Sequence, residues 1–251
     1  MRISARKMLG VAGVALLCFG LPSRGQNLYS SPAINSVTFT GSETTIFSNQ
    51  DGSVGAGTYG AVINGTASSS GIICDDYNDE ITAGEQWSAH AYQATSLASG
   101  NISNTLFGST VGLTGYAEVA TLVSMMFSGG KTYGSITGVT QAELSSAIWD
   151  ITTAGGIKGL DTNATKLVAA VKTAFSGNTS AATAYLATLT NLWILTPTAS
   201  EPNRPQEMWV AVPEGGSELM YLLLAGAFCF GAMFFRHRNQ PVRSESSDLL
   251  S

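Results

Sequence analysis

The densest group of chemically competent side chains is an acidic stretch that directly follows a short apolar run. Residues 75–80 read Asp-Asp-Tyr-Asn-Asp-Glu, so Asp75, Asp76, Asp79 and Glu80 place four carboxylates within six positions. Ca2+ prefers clustered oxygen ligands of this kind, but the stretch lacks the alternate-residue spacing and the glycine of an EF-hand loop. The pattern favours a solvated turn, with a calcium site at these four carboxylates as the alternative.

Cys74 stands immediately before the acidic stretch. The other two cysteines are Cys18, in the apolar N-terminal run, and Cys229, in the apolar C-terminal run. The region between those runs therefore offers neither a disulfide partner nor a zinc-type cysteine cluster. A lone thiol of this kind is either buried and inert or chemically employed.

The residues of common enzyme sites do not come together in the sequence. His90 has no second histidine nearby, since His237 lies beyond the apolar C-terminal run, and no nucleophile elbow or phosphate-binding loop is present. Paired carboxylates for glycoside hydrolysis would have to come from the acidic stretch or from Glu118, Glu143 and Asp150. We expect no enzymatic activity and no cofactor, with a secreted hydrolase as an alternative.

The N-terminus has the features of a secretory signal. Residues 1–25 contain a basic start at positions 2–7, an apolar run at positions 8–21 and then helix-breaking Pro22. These features predict export, with cleavage by signal peptidase before Gln26.

The C-terminus predicts a membrane anchor. Residues 219–235 are seventeen uncharged positions, which as a helix span about 25 Å and reach the lower limit for crossing a bilayer. Only a helix satisfies the backbone of a single segment in lipid. Arg236 and Arg238 follow, and basic flanks mark the cytoplasmic side, so residues 239–251 are predicted to be a cytoplasmic tail.

A turn-forming strip precedes the span on its outer side. Pro213 and the paired glycines favour an extended, accessible segment that a protease could grip. The full strip is Val212, Pro213, Glu214, Gly215, Gly216 and Ser217. A plain single-span anchor would explain the apolar run but not this strip.

The order of strip, short apolar span and arginine-rich end resembles the PEP-CTERM sorting signal of Gram-negative bacteria, here covering residues 213–238. In that family a membrane-embedded cysteine transpeptidase, exosortase, recognises the motif and removes the anchor. The resemblance implies that Pro213 and Glu214 are recognition residues and that Arg236 and Arg238 form the cytoplasmic stop. The chain departs from the family pattern after the arginines: such signals usually end within a few residues of them, whereas this chain continues from Asn239 to Ser251.

The predicted exported part, residues 26–212, is acidic. It holds five Lys or Arg against thirteen Asp or Glu, a net charge of −8, which argues against nucleic acid or anionic lipid as partners. Abundant Gly, Ser, Thr, Ala and Asn suit an extracellular matrix. We expect an inner-membrane-anchored precursor that becomes a non-enzymatic cell-surface or biofilm-matrix protein, with exosortase and signal peptidase as transient partners and exopolysaccharide as a candidate partner.

Local patterns predict an α+β fold, in which an antiparallel strand meander or small barrel packs with three to four helices and a C-terminal transmembrane helix is added. β-branched and aromatic runs and closing apolar runs predict strands at 37–40, 44–47, 57–63, 72–74, 191–195 and 207–212. Helical spacing and caps predict helices at 116–127, from the capping box Thr140–Glu143, at 164–175 with Asn163 as cap, and at 180–189.

A second resemblance concerns Cys74. A strand ending in Cys-Asp-Asp-Tyr, then helices, then the sequence Ala147 to Asp150 (Ala-Ile-Trp-Asp) resembles thioester domains of bacterial surface adhesins. There the cysteine bonds to a glutamine carbonyl, and the acyl group traps a nucleophile on a partner. The glutamine usually stands four residues before the tryptophan. Here Ser145 occupies that position, and Gln141 lies one helical turn earlier on a similar face, at least about 5 Å away.

The resemblance implies an alternative function, a thioester adhesin that uses Cys74 and Gln141. The competing interpretation is a buried structural Cys74. Trp149 is predicted to belong to the core, because Ile148 and Ile151 flank it.

Overall fold

The computed structural model of the chain describes residues 34–41, 45–49, 52–199 and 205–212, all within one compact unit. The predicted signal peptide, membrane span and tail lie outside these residues. So do all members of the predicted sorting signal except Val212, namely Pro213, Glu214, Gly215, Gly216, Ser217, Arg236 and Arg238. Val212 is buried, and its N–H donates to Asn191 O at 2.8 Å.

Within the described residues, seven strands form one antiparallel sheet in the order β5-β4-β1-β7-β10-β11-β6. The strands of this sheet are β1 Ile34–Gly41, β4 Gly60–Ile63, β5 Thr66–Ala67, β6 Ile72–Cys74, β7 Gln86–Gln93, β10 Leu192–Pro197 and β11 Met208–Ala211. Two separate hairpins are β2 Thr45–Asn49 with β3 Gly52–Ala56, and β8 Thr132–Tyr133 with β9 Ile136–Thr137. Because β1 lies between β4 and β7, the sheet is not a plain meander.

The sheet curls into a half-barrel. An additional bridge joins Tyr59, just before β4, to Ile72 in β6, so opposite sides of the sheet approach each other. Alternate side chains then face different cores: Trp193 packs inside the curl, whereas Ile194 and Trp209 pack with the helices. Every residue of β10 is buried, as expected for a central strand covered on both faces.

The helical layer is built around one long helix. The helices are α1 Ala94–Leu97, a 3-10 turn Asn101–Asn104, α2 Gly108–Phe127, α3 Gln141–Thr152, α4 Thr162–Phe175 and α5 Thr179–Leu186. Helix α2 contacts α3, α4 and α5. Among the described residues it is the one helix long and apolar enough to cross a membrane, but 56% of that segment is buried inside the fold, so its apolar character reflects its central place in the core.

The helix boundaries confirm one predicted cap and correct another. The capping box of α3 is present, with Glu143 N donating to Thr140 Oγ1 at 3.2 Å and Thr140 N donating to Glu143 Oε2 at 2.6 Å. The predicted cap Asn163 is wrong: Asp161 caps α4 by accepting from Ala164 N at 2.8 Å. Asn163 instead donates to Glu143 Oε1 at 2.9 Å, which ties α4 to the start of α3.

The strand register separates the two ends of the sheet. Ile34 at the start of β1 pairs with His90 near the end of β7, and Ala211 at the end of β11 pairs with Leu192 at the start of β10. Because β10 starts beside the end of β7, the described chain enters and leaves the sheet at one end. Residues 75–85, called the acidic loop below, join β6 to β7 at the opposite end.

The combination of a curled antiparallel sheet and several helices agrees with the α+β class that the sequence predicts. Outside that coarse agreement, helix α2 begins at Gly108, earlier than its predicted start at Tyr116, and β4 begins at Gly60 after Tyr59 has bridged to β6. Gly112, at φ +64°, interrupts the first turns of α2, which explains why the helical spacing emerges only after it.

Candidate functional site

The acidic loop begins inside the protein. Asp75 is 0% and Asp76 1% exposed, so the expected solvated turn is wrong for its first two carboxylates. Asp79 is half-buried and Glu80 is exposed. The difference arises because β6 pairs with β11, which brings the side chains of residues 206–209 against the start of the loop.

Asp75 accepts hydrogen bonds from two distant residues, one at its side chain and one at its backbone carbonyl. Trp209 Nε1 donates to Asp75 Oδ2 at 2.6 Å, and Thr152 Oγ1 donates to the Asp75 carbonyl at 2.5 Å. Asp75 Oδ1 has no hydrogen-bond partner among the described residues. Burial and then the charge of Glu207 raise the pKa of Asp75 well above its ordinary value, against a lowering by the Trp209 bond. The environment therefore favours a protonated Asp75.

Glu207 is the second buried carboxyl group of this region. Tyr116 Oη donates to Glu207 Oε1 at 2.5 Å, and Leu106 N donates to Oε2 at 2.8 Å. The Thr196 hydroxyl also donates to Oε2. Burial, followed by the charge of Glu207, raises the pKa of Tyr116 well above its ordinary value, so the phenol stays a donor. Sequence reasoning missed Glu207; its position at the head of an apolar strand is the one available signal.

Cys74 is a buried, protonated thiol. Its Sγ donates to Asp76 O at 2.9 Å and accepts from Asp76 N at 3.2 Å. Burial, followed by the charges of Asp75 and Asp76, raises the pKa of Cys74 well above its ordinary value. The Cys74 carbonyl accepts from Trp149 Nε1 at 3.2 Å, which fixes the end of β6 on helix α3.

The structure does not bring the two residues of the predicted thioester into one contact. Cys74 contacts Trp149 in the last turns of α3, whereas Gln141 is the first residue of that helix, about 12 Å of helix rise away. Ser145, which stands at the expected glutamine position, is buried and accepts from Gly57 N at 2.8 Å. Ser145 therefore attaches the segment between β3 and β4 to helix α3.

A cleft of about 400 Å3 lies beside the acidic loop. It is bounded by the loop, by the β2–β3 hairpin and by helix α3, against which the hairpin packs. The described residues that line it are Phe39, Gly41, Ser53, Val54, Gly55, Tyr59, Asp76, Tyr77, Asp79, Glu80, Ile81, Thr82, Ala83, Trp149 and Gln206.

Four aromatic residues belong to the cleft lining: Phe39, Tyr59, Tyr77 and Trp149. The rings of Tyr77 and Trp149 lie 5.5 Å apart at 47°, and Phe47 supports Trp149 from 6.0 Å. Phe39 and Tyr59 form a second pair at 5.5 Å. Trp149 is buried, which confirms its predicted place in the core. Tyr77 is half-buried, so part of its surface is open to a ligand in the cleft.

The loop is held by hydrogen bonds at both of its ends. Gln206 Nε2 donates to Asp76 O at 3.0 Å and also to Asp79 O. At the other end, Phe39 N donates to Glu85 O at 2.9 Å and Gly84 N donates to Phe39 O at 2.7 Å. A wall fixed in this way reduces the ordering that a bound ligand would otherwise require.

The structure disperses the carboxylates of the predicted calcium site. Asp75 is directed to Trp209 in the interior, whereas Asp76, Asp79 and Glu80 line the cleft. Among the described residues, no three His, Cys, Asp or Glu side chains are grouped so as to hold a metal ion. The donor set therefore does not fit a calcium loop made of all four carboxylates.

The other residues considered for catalysis lie on different elements. Glu143 caps α3, and Asp150 Oδ1 accepts from Ile157 N at 3.1 Å. Glu118 is buried in α2, where burial raises its pKa and the charge of Lys172 lowers it. His90 is half-buried on β7, with its ring 6.2 Å from that of Tyr92.

No protein-family model, curated protein or solved structure matches the chain. The resemblances to PEP-CTERM signals and to thioester domains therefore stay predictions. Within the described residues, the cleft beside the acidic loop is the feature that best supports a function.

Proposed function

We propose that the chain is a non-enzymatic, exported protein of the cell surface or biofilm matrix that binds a polysaccharide in the cleft. An exosortase-type system delivers it. The observation that carries this proposal is the cleft wall, in which half-buried Tyr77 packs on Trp149 beside the polar groups of the acidic loop.

The chemistry of the cleft suits sugar rings. A pyranose has an apolar face that packs on aromatic side chains and a rim of hydroxyl groups that need hydrogen-bond partners. Half-buried Tyr77 supplies aromatic surface with buried Trp149 packed behind it, and Asp79, Glu80 and Gln206 supply polar groups along the same wall. Apolar surface combined with a few placed polar groups is the usual composition of a small-molecule site.

The two buried carboxyl groups make contacts within the fold. Asp75 and Glu207 accept hydrogen bonds from Trp209 and from Tyr116, respectively, inside the fold. Their interactions join the strand layer to the helical layer. These contacts give both residues a structural role.

The two ends of the chain supply the export part of the proposal. The leader at residues 1–25 directs secretion, and the apolar run at residues 219–235 with its basic flank holds the precursor in the inner membrane. The strip that begins at Val212 and Pro213 supports recognition by exosortase. The protein then reaches the cell surface or the matrix.

The cleft can be tested with a pair of tyrosine substitutions in the protein secreted from the full-length chain. We expect Tyr77→Ala to lower retention on insoluble cellulose, chitin or chitosan by about fivefold, because one aromatic contact contributes about 1 kcal/mol. The measurement is the fraction of protein that sediments with each polymer.

Tyr185→Ala is the matched control. Tyr185 is also half-buried, and its ring lies 5.5 Å from that of Phe175, outside the cleft lining. The control should keep full retention and should show the same change in melting temperature as Tyr77→Ala. Retention on none of the three polymers, or equal loss in both variants, would contradict the proposed function.

A further inference from the structure

We propose that Asp75 and Glu207, called the carboxyl pair below, form a pH-dependent conformational switch. While the pair retains a proton, the end of β6 and the start of the acidic loop stay closed on β11 and α3; when the proton is lost, this end opens. The switch is a property of the fold, so it does not depend on what the cleft binds.

The two carboxyl groups lie opposite each other on neighbouring chain segments. Cys74 pairs with Met208 at the end of the β6–β11 ladder. The next antiparallel pair is therefore Asp75 with Glu207, and Asp75 N donates to Glu207 O at 3.4 Å. Directly opposite side chains share one face, with Cβ atoms about 4.5–5.5 Å apart. Because both residues are 0% exposed, two negative charges there would repel each other, and one bound proton removes that repulsion.

The hydrogen bonds place that proton on Asp75. Three donors bond to the Glu207 carboxylate, namely Tyr116 Oη, Thr196 Oγ1 and Leu106 N. The Asp75 side chain accepts from Trp209 at Oδ2, while its Oδ1 has no hydrogen-bond partner among the described residues. Since donors stabilise the ionised form of a carboxyl group, Glu207 is the better carboxylate and Asp75 the better acid.

The groups that surround the carboxyl pair do not offset its charge. From the described elements, the titratable neighbours are Cys74 on β6, Asp76 in the acidic loop, Tyr92 on β7 and Tyr116 on α2, and none of these four is cationic. Helix α3 and strand β10 present the hydroxyls of Thr152 and Thr196. Burial is the largest cause of the raised pKa of Cys74 and of both tyrosines, so these three stay neutral.

Strand β6 is placed so that its end can open while the rest of the sheet stays paired. It has three residues, lies at the edge of the seven-stranded sheet and pairs with β11. The bridge between Tyr59 and Ile72 holds its first residue. At the other end, Trp149 and Thr152 donate to its last carbonyl and to the carbonyl that follows. Short edge segments open at a lower free energy than the whole fold.

The direction of the switch follows from the two environments of Asp75. In the open arrangement the group is in water, where its pKa is about 3.9, whereas in the closed arrangement burial raises the pKa well above its ordinary value. Between those two values the closed form binds more protons, so each rise of one pH unit favours opening by about tenfold. Opening would expose the Cys74 thiol and would also displace Tyr77, whose ring packs on Trp149.

The Cys74 thiol reports the opening. The chain has three cysteines, so Cys18→Ala and Cys229→Ala in the full-length chain leave one thiol. Its rate of reaction with dithiodipyridine is measured between about pH 5 and pH 8, in native protein and in protein unfolded by urea, and the ratio of the two rates cancels the ionisation of the thiol. We expect this protection to fall about tenfold per pH unit, with an opening constant larger than the global unfolding constant from urea denaturation.

Two substitutions assign the pH dependence. Asp75→Asn keeps an acceptor for Trp209 and cannot ionise, so the protection of Cys74 should stay constant across the same pH range. Glu118→Gln is the matched control, because it removes a buried carboxyl group of α2 beside Lys172. Its protection should fall with pH as steeply as that of the parent protein.

Three results would overturn the inference. Protection that does not change with pH would exclude a switch, and an equally steep profile in Asp75→Asn would exclude the carboxyl pair as its source. An opening constant equal to the global unfolding constant at every pH would exclude local opening. The first and third results need only the parent protein, so they decide even if Asp75→Asn does not fold. Because retention on a polysaccharide is not measured, the switch and the proposed function fail independently.

Discussion

Asp75 and Glu207 place two carboxyl groups in the protein interior, where an ionised group is unfavourable unless it is well hydrogen-bonded. Glu207 accepts hydrogen bonds from Tyr116 and from Leu106 N, and Asp75 accepts one from Trp209. Asp75 therefore has the weaker support for a negative charge, in keeping with its raised pKa. Asp75 should therefore make the stability of the fold depend on pH.

The direction of that dependence follows from the raised pKa. Between the unfolded pKa of Asp75, about 3.9, and its higher folded pKa, the folded protein binds more protons than the unfolded chain, so the free energy of unfolding falls as pH rises. We expect lower stability at about pH 8 than at about pH 5, with a limiting slope of about 1.4 kcal/mol per pH unit for one group. Urea denaturation across this range measures it.

Asp75→Asn should flatten the pH profile, because the amide oxygen can still accept from Trp209 and no longer titrates. Glu118→Gln is the comparison: burial also raises the Glu118 pKa, but Lys172 opposes the shift, so this change should flatten the profile less. A profile that Asp75→Asn leaves as steep as that of the unsubstituted protein would exclude Asp75 as the source.

The environment of the acidic loop shows why residue-scale predictions from sequence have a limit. Four carboxylates in six residues favour solvent, and that local pattern predicts Glu80 correctly. Asp75 and Asp76 are buried because Trp209 and Gln206 reach them from more than a hundred residues away. The local composition of the loop gives no indication of these distant partners.

At the scale of elements, helix α3 holds two separate segments of the chain through side-chain hydrogen bonds. Its Trp149 and Thr152 side chains donate to the carbonyls of Cys74 and Asp75, and its Ser145 hydroxyl accepts from Gly57 N. One face of this helix thereby holds both the end of β6 and the segment after β3. The cleft lies between these attachments, so its shape depends on α3.

Thr152→Val tests this attachment while it keeps the side-chain volume. The change removes the donor to Asp75 O and leaves that buried carbonyl without it, so we expect a loss of about 1–3 kcal/mol in the free energy of unfolding. Thr165→Val is the control, because its hydroxyl donates to Asp161 O at 2.8 Å on an exposed helix face; there the loss should stay within about 0.5 kcal/mol. Equal losses in chemical denaturation would contradict a special role for Thr152.

Several elements were predictable, whereas the central strand β7 was not predicted and the arrangement of the elements could not be. The capping box of α3 and the apolar face that contains Leu144, Ile148 and Ile151 depend on residues three or four apart, so sequence reveals them. The order of strands in the sheet depends on pairings between distant segments, such as Ile34 with His90. For the same reason the cleft, which needs β3, the acidic loop and α3 together, could not be predicted.

At the scale of the whole molecule, the described residues belong to the central unit, and the two predicted export signals lie on either side of it in sequence. The proposal requires both signals to act in order. The leader must be removed after translocation, and the C-terminal span must then be cleaved from the protein by exosortase.

The two termini of the exported protein test this order. In a Gram-negative host with an exosortase, we expect the mature protein to begin at Gln26 and to lack a tag placed after Ser251. In a host without the transpeptidase the tag should remain, with the protein in the inner membrane. Full-length protein with both ends intact in the cytosol would contradict export, and a tag kept in both hosts would favour a permanent anchor.

The register of the sheet has a consequence for how the protein can present its ligand site. Residues 34 and 212 lie at one end of the half-barrel, and the acidic loop lies at the opposite end. A bead, sensor chip or fusion partner coupled at residue 34 or at residue 212 would therefore lie at the end of the sheet away from the cleft beside Tyr77. Copies immobilised side by side through that end would present all their clefts in the same direction, so each cleft would stay accessible at high surface density.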